Sequence, residues 1–512
     1  MYRFVFSPSE KDPVVIIKFL LNPSFARKMK KNNRGNTVSA SMIFKTMERY
    51  VVMAFQMIVQ IVIARILDPS DYGLISMMTV FIAVANVFIQ NGFNMAIVQK
   101  KDADITDYST ALIINLSIGV VLYLLIVLFS PAIASFYYQP YITKCMPVMA
   151  LLLIIGSVNA IQIAIANRHM LFKNLFKCNV VASFSSGVIG IVSAICGLGV
   201  WALIIQQILH SLVLSIMLLF QQHWKPNWVF DKTKARELFS FGWKLLAAGL
   251  INQIYNELNS LVIGRRYHSD DLAFYTKGSQ FPKYVTTGVD SSINTVMFSA
   301  FSKNQENVEA LHKQMKKSIT VNSYIVFPIL TYLGIAAVPI VKLLLTDKWL
   351  PMVPFMQICC LTFAFHPLAS TQMQAIAAVG RSDVRLKIEF LKKGIGIGLL
   401  ILMMSKGPMG IAISAAITSI VSIIIGAVAC RITTGYPLKN LLTDIAPILL
   451  ASIVMAIPIS FIGRLGMEPV WTVIIELFIG FLVYGLTSYV FKLYGFNYMM
   501  GLLKSTIHRN ER

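Results

Sequence analysis

The sequence predicts an all-α polytopic membrane protein with about 14 transmembrane helices, arranged as two six-helix bundles plus two C-terminal helices. Three observations predict this: the composition, the recurrence of long apolar segments and the distribution of positive charge. Of the 512 residues, 56% are hydrophobic and 13% are charged, whereas a soluble domain carries about 25% charged residues. Too few polar residues are present to cover that much apolar surface in water.

Apolar segments of about 20 residues recur between residues 51 and 493, and a helix of that length spans the hydrocarbon core of a bilayer. The predicted spans are 43–65, 72–92, 107–133, 144–166, 175–196, 200–220, 237–264, 272–301, 318–345, 351–379, 385–404, 408–430, 443–463 and 469–491. The eighth span is predicted although it contains Lys277, Lys283 and Asp290, because the loop charges alternate only if it crosses the membrane.

The positive charge is distributed as the positive-inside rule requires. With the N-terminus placed inside, 32 of the 45 Lys and Arg residues fall in inside segments or near the inner ends of the spans, and eight fall in outside segments or near the outer ends. Both termini are therefore expected in the cytoplasm. The net charge of +22 then reflects topology, and no nucleic-acid partner is expected.

The chain also contains an internal repeat. A shift of 200 residues places IVIAR (61–65) on LVIGR (261–265), and a shift of 211 places GVWAL (199–203) on GIAIS (410–414). Two copies of a six-helix unit facing each other across a cavity form a transporter architecture. The predicted parts are a cytoplasmic arm (1–42), a first bundle (43–221), a cytoplasmic linker (222–236), a second bundle (237–431), two additional helices (443–491) and a cytoplasmic tail (492–512). Translation is expected to start at Met1 or Met29.

Polar residues recur at helical spacing in several spans, which places them on one helix face. The eighth span carries Thr276, Gln280, Lys283, Thr287, Asp290 and Asn294; the seventh carries Lys244, Asn252 and Asn256, with Glu257 beside them; the first carries Arg49, Gln56 and Gln60; and the sixth and tenth add Gln206, His210 and His366. Because polar groups are costly against lipid, these faces predict a hydrophilic cavity between the bundles. The alternative is hydrogen bonding that only joins helices.

Charged residues within the spans carry the sharpest expectations. Lys283 lies about 16 Å from the outer end of its span, near the middle of the bilayer, where it binds either an anionic lipid phosphate or Asp290. Lys244 and Arg49 would extend the cationic path, although Arg49 also suits a headgroup anchor. Asp290 and Glu257 are candidate ion-coupling acids, with an ion pair to Lys or Arg as the alternative.

Motifs of several enzyme classes are missing from the sequence. It contains no GxxxxGK[ST], HExxH or GxSxG motif, and none of its six cysteines forms a CxxC pair. The predicted loops are too short for a loop-borne catalytic site. We therefore expect no catalytic residues, no metal and no cofactor.

Three segments carry a family resemblance: ARILDPSDYG (64–73), FSFGWKLLAAGLINQIYNELNSLVIGRRY (239–267) and LAFYTKGSQFP (272–282). With them the chain, over roughly residues 36–495, resembles the polysaccharide transporters of the multidrug, oligosaccharidyl-lipid and polysaccharide exporter superfamily. The resemblance implies twelve core helices, two extra helices and alternating access. It maps the family's cationic cavity residues onto Arg49, Lys244 and Lys283 by position and type. The arm before Met29 departs from the family pattern.

The resemblance implies a flippase that moves undecaprenyl-pyrophosphate-linked oligosaccharide across the membrane for O-antigen, capsule or exopolysaccharide synthesis. The energy source is left open between an H⁺ or Na⁺ gradient and the membrane potential. Expected partners are membrane lipids and the polysaccharide polymerase and export machinery, and the chain is expected to be a monomer. Alternatives are a cation-coupled multidrug antiporter, a membrane polysaccharide polymerase or glycosyltransferase, and a non-transporting scaffold.

Overall fold

The computed structural model describes residues 37–90, 97, 100, 104–222, 227, 229–303 and 307–501. Within them the long segments are α-helices and no strand occurs. Residues 1–36 of the predicted arm and residues 502–512 of the predicted tail lie outside the described residues. The first eight helices are α1 (Thr37–Ile66), α2 (Pro69–Gln90), α3 (Ile105–Tyr137), α4 (Ile142–Arg168), α5 (Phe172–Ile195), α6 (Val200–Gln222), α7 (Lys232–Arg266) and α8 (Ser269–Lys303).

The remaining described helices include two short 3-10 turns. They are α9 (Val308–Ile335), α10 (Ala337–Leu344), a 3-10 turn (Asp347–Met352), α11 (Val353–Ala364), α12 (His366–Ala378), α13 (Ser382–Met403), a 3-10 turn (Met404–Lys406), α14 (Gly407–Thr434), α15 (Leu438–Ile462) and α16 (Pro469–Val490). Each predicted span coincides with helix, so the predicted all-helical membrane fold is confirmed. The ninth and tenth spans are each divided into two helices, at Ala336 and at Phe365.

Ten stretches of the described helices are long and apolar enough to cross a membrane, judged by length and composition. Helices α7 and α8 are not among them, because their polar residues lower the mean hydropathy. Each has 35 residues, or about 52 Å at about 1.5 Å per residue, against a hydrocarbon core of about 30 Å. The eighth span, predicted from charge alternation, therefore lies on a helix of sufficient length.

The described chain divides into two compact units, which we call the N-terminal unit (up to Ala273) and the C-terminal unit (from Phe274). In the N-terminal unit, α5 packs on α1 and α6, and α3 packs on α4. Helix α7 also belongs to this unit, since it packs on α2 and α3. This division falls after α7, whereas the sequence repeat predicted that α7 begins the second bundle. The repeat is a similarity between sequence segments and not a measure of packing, so the assignment of two six-helix bundles stays a prediction.

The helix ends follow the 200-residue shift. Helix α1 ends at Ile66 and α2 begins at Pro69, while α7 ends at Arg266 and α8 begins at Ser269. In both places two residues separate the helices. At the second one, the backbone N–H of His268 donates to Asp271 Oδ2 at 3.2 Å. The sequence repeat therefore has a counterpart in the positions at which these four helices end and begin.

The C-terminal unit is built around α9. Helices α11, α12 and α15 pack against it, and α16 contacts it as well. At the start of α9, Lys316 Nζ lies 2.7 Å from Asp444 Oδ1 of α15. Farther along, the hydroxyl of Tyr484 of α16 donates to the carbonyl of Tyr324 at 2.9 Å. The two helices predicted as additions are thus bonded to the central helix of their unit.

Candidate functional site

Helix α7 presents an exposed row of polar residues, which we call the α7 polar line: Lys244, Asn252 and Asn256. Together with Ala248 they are spaced four residues apart, and all four are exposed. Their spacing keeps them on one face of the helix. The sequence predicted this face as part of a cavity lining, and the structure places it at the surface of the N-terminal unit. An exposed row of amides and an ammonium can donate several hydrogen bonds to a polar ligand.

Other predicted residues of the N-terminal unit make hydrogen bonds within it. Gln60 Nε2 donates to Gln206 Oε1 at 3.2 Å and so joins α1 to α6, which is the helix-joining alternative for this residue. Glu257 is half-buried and accepts a hydrogen bond from Gln253 Nε2 at 2.9 Å. Gln56 is half-buried. The side chain of Arg49 lies outside the described part of the chain.

On α8 the predicted polar residues change from exposed to buried along the helix. Gln280 is half-buried and donates to the Tyr284 hydroxyl at 2.6 Å. Lys283 is exposed, whereas Asp290, two turns farther on, is 8% exposed. The side chain of Asn294 lies outside the described residues. The predicted face is therefore accessible near Lys283 and closed near Asp290.

Asp290 pairs with His366 and not with Lys283. Its Oδ2 lies 3.5 Å from Nδ1 of His366, at the start of α12. Lys283 and Asp290 are seven residues apart, which separates them by about 10.5 Å along the helix axis. The alternative that these two residues form an ion pair is thus wrong.

A proline accounts for the position of His366. Pro367 has no N–H and so cannot donate to the carbonyl of Phe363, four residues before it, which ends α11 and lets a new helix begin. Hydroxyl groups of other helices lie within hydrogen-bond distance of the carbonyl oxygens near this break. Thr286 of α8 donates to the Phe363 carbonyl at 3.4 Å, and Ser419 of α14 donates to the Thr362 carbonyl at 2.9 Å. Sequence reasoning placed His366 on a polar face but did not recognise it as the partner of Asp290; the His-Pro dipeptide within an apolar span was the available signal.

A second cluster of charges lies where α3 and α7 begin. We call it the inner ion-pair cluster; its members are Lys100, Asp104, Asp107, Lys234 and Glu237. Lys100 Nζ lies 2.8 Å from Asp107 Oδ1 and 3.2 Å from Glu237 Oε2, and Lys234 Nζ lies 2.7 Å from Asp104 Oδ2. The lysines thus join the start of α7 to the start of α3.

The local geometry of α3 positions the acids of this cluster. Asp104 is the N-cap of α3, and it forms a capping box in which Asp104 and Asp107 each accept the other's backbone N–H. The hydrogen bond from Lys234, followed by that from the Asp107 backbone, lowers the pKa of Asp104 to about 2. The hydrogen bond with Asp107 raises the pKa of Lys100. The charges of Asp104 and Lys100 are therefore present throughout the physiological pH range.

At its other end, α7 packs closely on α2 and α3. A Cβ at Gly264 would lie 2.9 Å from a ring carbon of Tyr137. The next residue, Arg265, places its guanidinium 5.1 Å from the Phe136 ring centroid and 4.4 Å from that of Tyr138, distances at which cation–π attraction acts. Arg265 thus makes an aromatic contact that joins α7 to α3.

Comparisons with known proteins place these features in a family context. The family model described as "Polysaccharide biosynthesis protein" matches residues 62–354. This range includes the α7 polar line, Asp290 and the inner ion-pair cluster. It covers more than half of the chain.

Curated relatives match over similar lengths. A membrane protein of the cps region of Klebsiella pneumoniae is 25% identical over 352 residues, covering 67% of this chain and 71% of the relative. The teichuronic acid biosynthesis protein TuaB of Bacillus subtilis is 23% identical, covering 67% and 71%. The lipopolysaccharide biosynthesis protein WzxC of Escherichia coli is 23% identical, covering 70% and 73%.

Solved structures support the fold. The lipid II flippase MurJ, in an inward closed conformation, matches with a TM-score of 0.69 at 16% identity, covering 88% of this chain and 98% of MurJ. An inward-facing multidrug resistance transporter of the MATE family, within the MOP superfamily, matches with a TM-score of 0.58 at 14% identity, covering 74% and 94%. The match to the family model over more than half of the chain shows that the chain belongs to the polysaccharide biosynthesis protein family, and the solved structures show the fold that it shares with them.

Proposed function

We propose that this protein is a flippase that moves a lipid-linked oligosaccharide, joined through pyrophosphate to undecaprenol, from the inner to the outer leaflet of the bacterial cytoplasmic membrane. The observation that carries the proposal is the exposed α7 polar line in a family whose relatives are named for teichuronic acid and lipopolysaccharide biosynthesis. Both termini would be cytoplasmic, and the polysaccharide polymerase would act next on the product.

The chemistry of the exposed residues suits a sugar phosphate. Asn252 and Asn256 offer amide donors and acceptors to sugar hydroxyls, whereas Lys244 and Lys283 offer ammonium groups to phosphate. The lipid tail stays in the hydrocarbon, so only the polar headgroup has to contact the protein. Binding that differs between two conformations would shift the equilibrium between them.

The alternatives need other residues. An antiporter for cationic drugs is favoured by acidic side chains, but the two charged residues that are exposed on these faces, among the side chains that the structure describes, are lysines. A polymerase or glycosyltransferase needs a catalytic site, which neither the motifs nor the short loops provide. We therefore propose that the protein transports its substrate without modifying it.

The test uses a deletion strain complemented with the wild type, Lys283→Gln or Lys342→Gln. Lys342 is exposed and lies 3.8 Å from Asp347, away from the predicted polar faces, which makes it a matched control. A hydrogen bond to a charged group contributes about 1.5–3 kcal/mol, so Lys283→Gln should slow transport by about tenfold or more. Lipid-linked oligosaccharides are extracted, and the leaflet that holds them is determined.

Accumulation in the inner leaflet, relieved by the wild type and by Lys342→Gln but not by Lys283→Gln, is the expected result. Normal export in the deletion strain would contradict the flippase proposal, and a drug-efflux assay would then test the antiporter. Chain extension by the purified protein would support a polymerase. Full export by Lys283→Gln would exclude a role for this lysine in binding.

A further inference from the structure

The pair formed by Asp290 and His366 has an unequal exposure that suits proton transfer. The Asp290 side chain is 11% exposed and the His366 side chain is 58% exposed, with Oδ2 and Nδ1 3.5 Å apart. Oδ1 of Asp290 is buried and has no hydrogen-bond partner among the described residues. A buried carboxylate with one oxygen unsatisfied is costly, and the exposed imidazole is the contact through which it can receive a proton.

The surroundings favour a proton over a metal cation. Hard cations such as sodium prefer several oxygen ligands, whereas His366 offers a ring nitrogen to Asp290 Oδ2. The carbonyl oxygen of Thr362, beside the break at Pro367, already accepts a hydrogen bond from Ser419. Imidazole, by contrast, changes its charge between about pH 5 and pH 8 in its ordinary state.

The helices packed around this pair carry further titratable and charged groups. Helix α8 also contains Lys277 and Lys303. On the helices that pack against α12, the groups are Glu309, His312, Lys313, Lys316 and Lys317 of α9 and Asp383, Arg385, Lys387, Glu389, Lys392 and Lys393 of α13. The other acids of α8, Asp270 and Asp271, are in its first turn, and Lys283 is two turns from Asp290. Helix α11 contributes two buried cysteines, and α14 contributes Cys430 and, in its last turn, Arg431. Among the described residues, the acid that lies within ion-pair distance of His366 is Asp290.

We propose that Asp290 and His366 form the proton-binding site that couples transport to the proton gradient. One proton is taken up at Nδ1 of His366 and shared with Oδ2 of Asp290, and the same proton is later released; no other bond changes. Because α8 and the break between α11 and α12 hold one partner each, gain or loss of the proton alters the attraction between two helices of the same unit. The statement that this site couples transport to the proton gradient rests on the proposed flippase function.

The test measures proton binding without the oligosaccharide. Purified full-length protein is reconstituted in liposomes on a solid support, and the charge displaced by a jump from about pH 8 to about pH 6, the range in which imidazole titrates, is recorded. Wild type should give a transient current that Asp290→Asn and His366→Gln abolish. His210→Gln is the matched control, because His210 lies within the N-terminal unit and contacts Ser183 Oγ at 3.3 Å.

Gel filtration and thermal melting of each variant show whether it is folded, and Asp290→Glu retains the acid if Asp290→Asn does not fold. A current that persists in His366→Gln overturns the proposal. A current that follows a sodium jump at constant pH and is lost only in Asp290→Asn also overturns it. Loss of the proton current in the control His210→Gln overturns it as well. The leaflet measurement is independent: a proton current without oligosaccharide transport would preserve the site and contradict the flippase.

Discussion

Gly73, in the first turn of α2, shows how one residue sets the distance between two helices. A Cβ at this position would overlap the carbonyl oxygen of Ser269, at the start of α8, and would lie 2.8 Å from Ser269 Cβ. Backbone atoms cannot rotate away as a side chain can. The absence of a side chain at Gly73 is therefore required for this approach.

We expect Gly73→Ala to destabilise the protein by about 1–3 kcal/mol, the usual cost of overpacking. The measurement is the melting temperature of the purified protein in detergent. Gly398→Ala is the control, since no atom lies within 4 Å of a Cβ at Gly398 in α13, and alanine is the better helix former. Equal melting temperatures for the two variants would contradict the close approach.

Single residues were predictable where one helix supplied the whole pattern. The four-residue spacing of Lys244, Asn252 and Asn256 was enough to place them together on an exposed face of α7. The partner of Asp290 was not predictable, because periodicity relates a residue only to neighbours on its own helix. His366 is 76 residues farther along the chain, and its position depends on how α12 packs after Pro367.

Among the elements, α7 is held to α3 at both ends by different means: ion pairs at its start and the Arg265 contact with Phe136 and Tyr138 at its end. The acids of the inner ion-pair cluster differ in burial. The Asp107 side chain is 1% exposed, whereas that of Asp104 is 57% exposed. Loss of charge should therefore matter far more at Asp107, where water cannot replace Lys100.

We expect Asp107→Asn to lower the free energy of unfolding by about 1.5–3 kcal/mol, as for other hydrogen bonds between charged groups. Asp104→Asn is the matched control within the same capping box, and its effect should be small and reduced further by salt. Thermal melting at low and high salt measures both. An equal loss for the two variants would mean that burial does not decide the strength of these pairs.

The contribution of Asp104 to stability should not change between about pH 5 and pH 9. A carboxyl whose pKa is lowered on folding stabilises the protein above its unfolded pKa of about 3.9, and this stabilisation is lost only as the pH falls toward about 2. Lys234, whose pKa is raised, loses its contribution only at alkaline pH. The cluster is thus a permanent connection and not a pH switch. The sequence analysis counted Lys100 and Lys234 only as positive charges of inside segments and did not pair them with the acids, because more than 120 residues separate the two lysines.

For the whole molecule, the two C-terminal helices are part of the C-terminal unit's core. Besides the Tyr484 and Asp444 contacts, the hydroxyl of Tyr332 on α9 donates to the carbonyl of Val473 on α16 at 3.1 Å. Buried residues of α15, among them Ile448 and Met455, belong to the same hydrophobic cluster as Phe327. Removal of these helices would expose that cluster.

We expect a chain that ends after Thr434 to accumulate in the membrane at a much lower level than the full chain, because α9 loses its packing against α15 and α16. Abundance is measured by fluorescence of a C-terminal fusion in size-exclusion chromatography. A chain that ends after Gly501 keeps both helices and serves as the control. Normal abundance and melting of the shorter chain would show that the two helices are dispensable.

The whole fold was largely predictable, since hydropathy and the positive-inside count locate helices without reference to their partners. Charge alternation also recovered α8, which hydropathy alone does not identify. The membership of α7 in the N-terminal unit was not predictable in this way. It depends on contacts such as that of Gly264 with Tyr137, which join residues 127 positions apart.

The central position of α9 also determines when the C-terminal unit can be completed. Helix α9 ends at Ile335 and α15 begins at Leu438, so about 100 residues must be synthesised between them. At about 5–20 residues per second, α9 waits about 5–20 s for this neighbour, whereas α7 emerges after its partners α2 and α3. During the synthesis of α10 to α14, α9 therefore has only its earlier neighbours, among them α11 and α12, to pack on as they are made, and the C-terminal unit is complete only after α15 and α16 have followed.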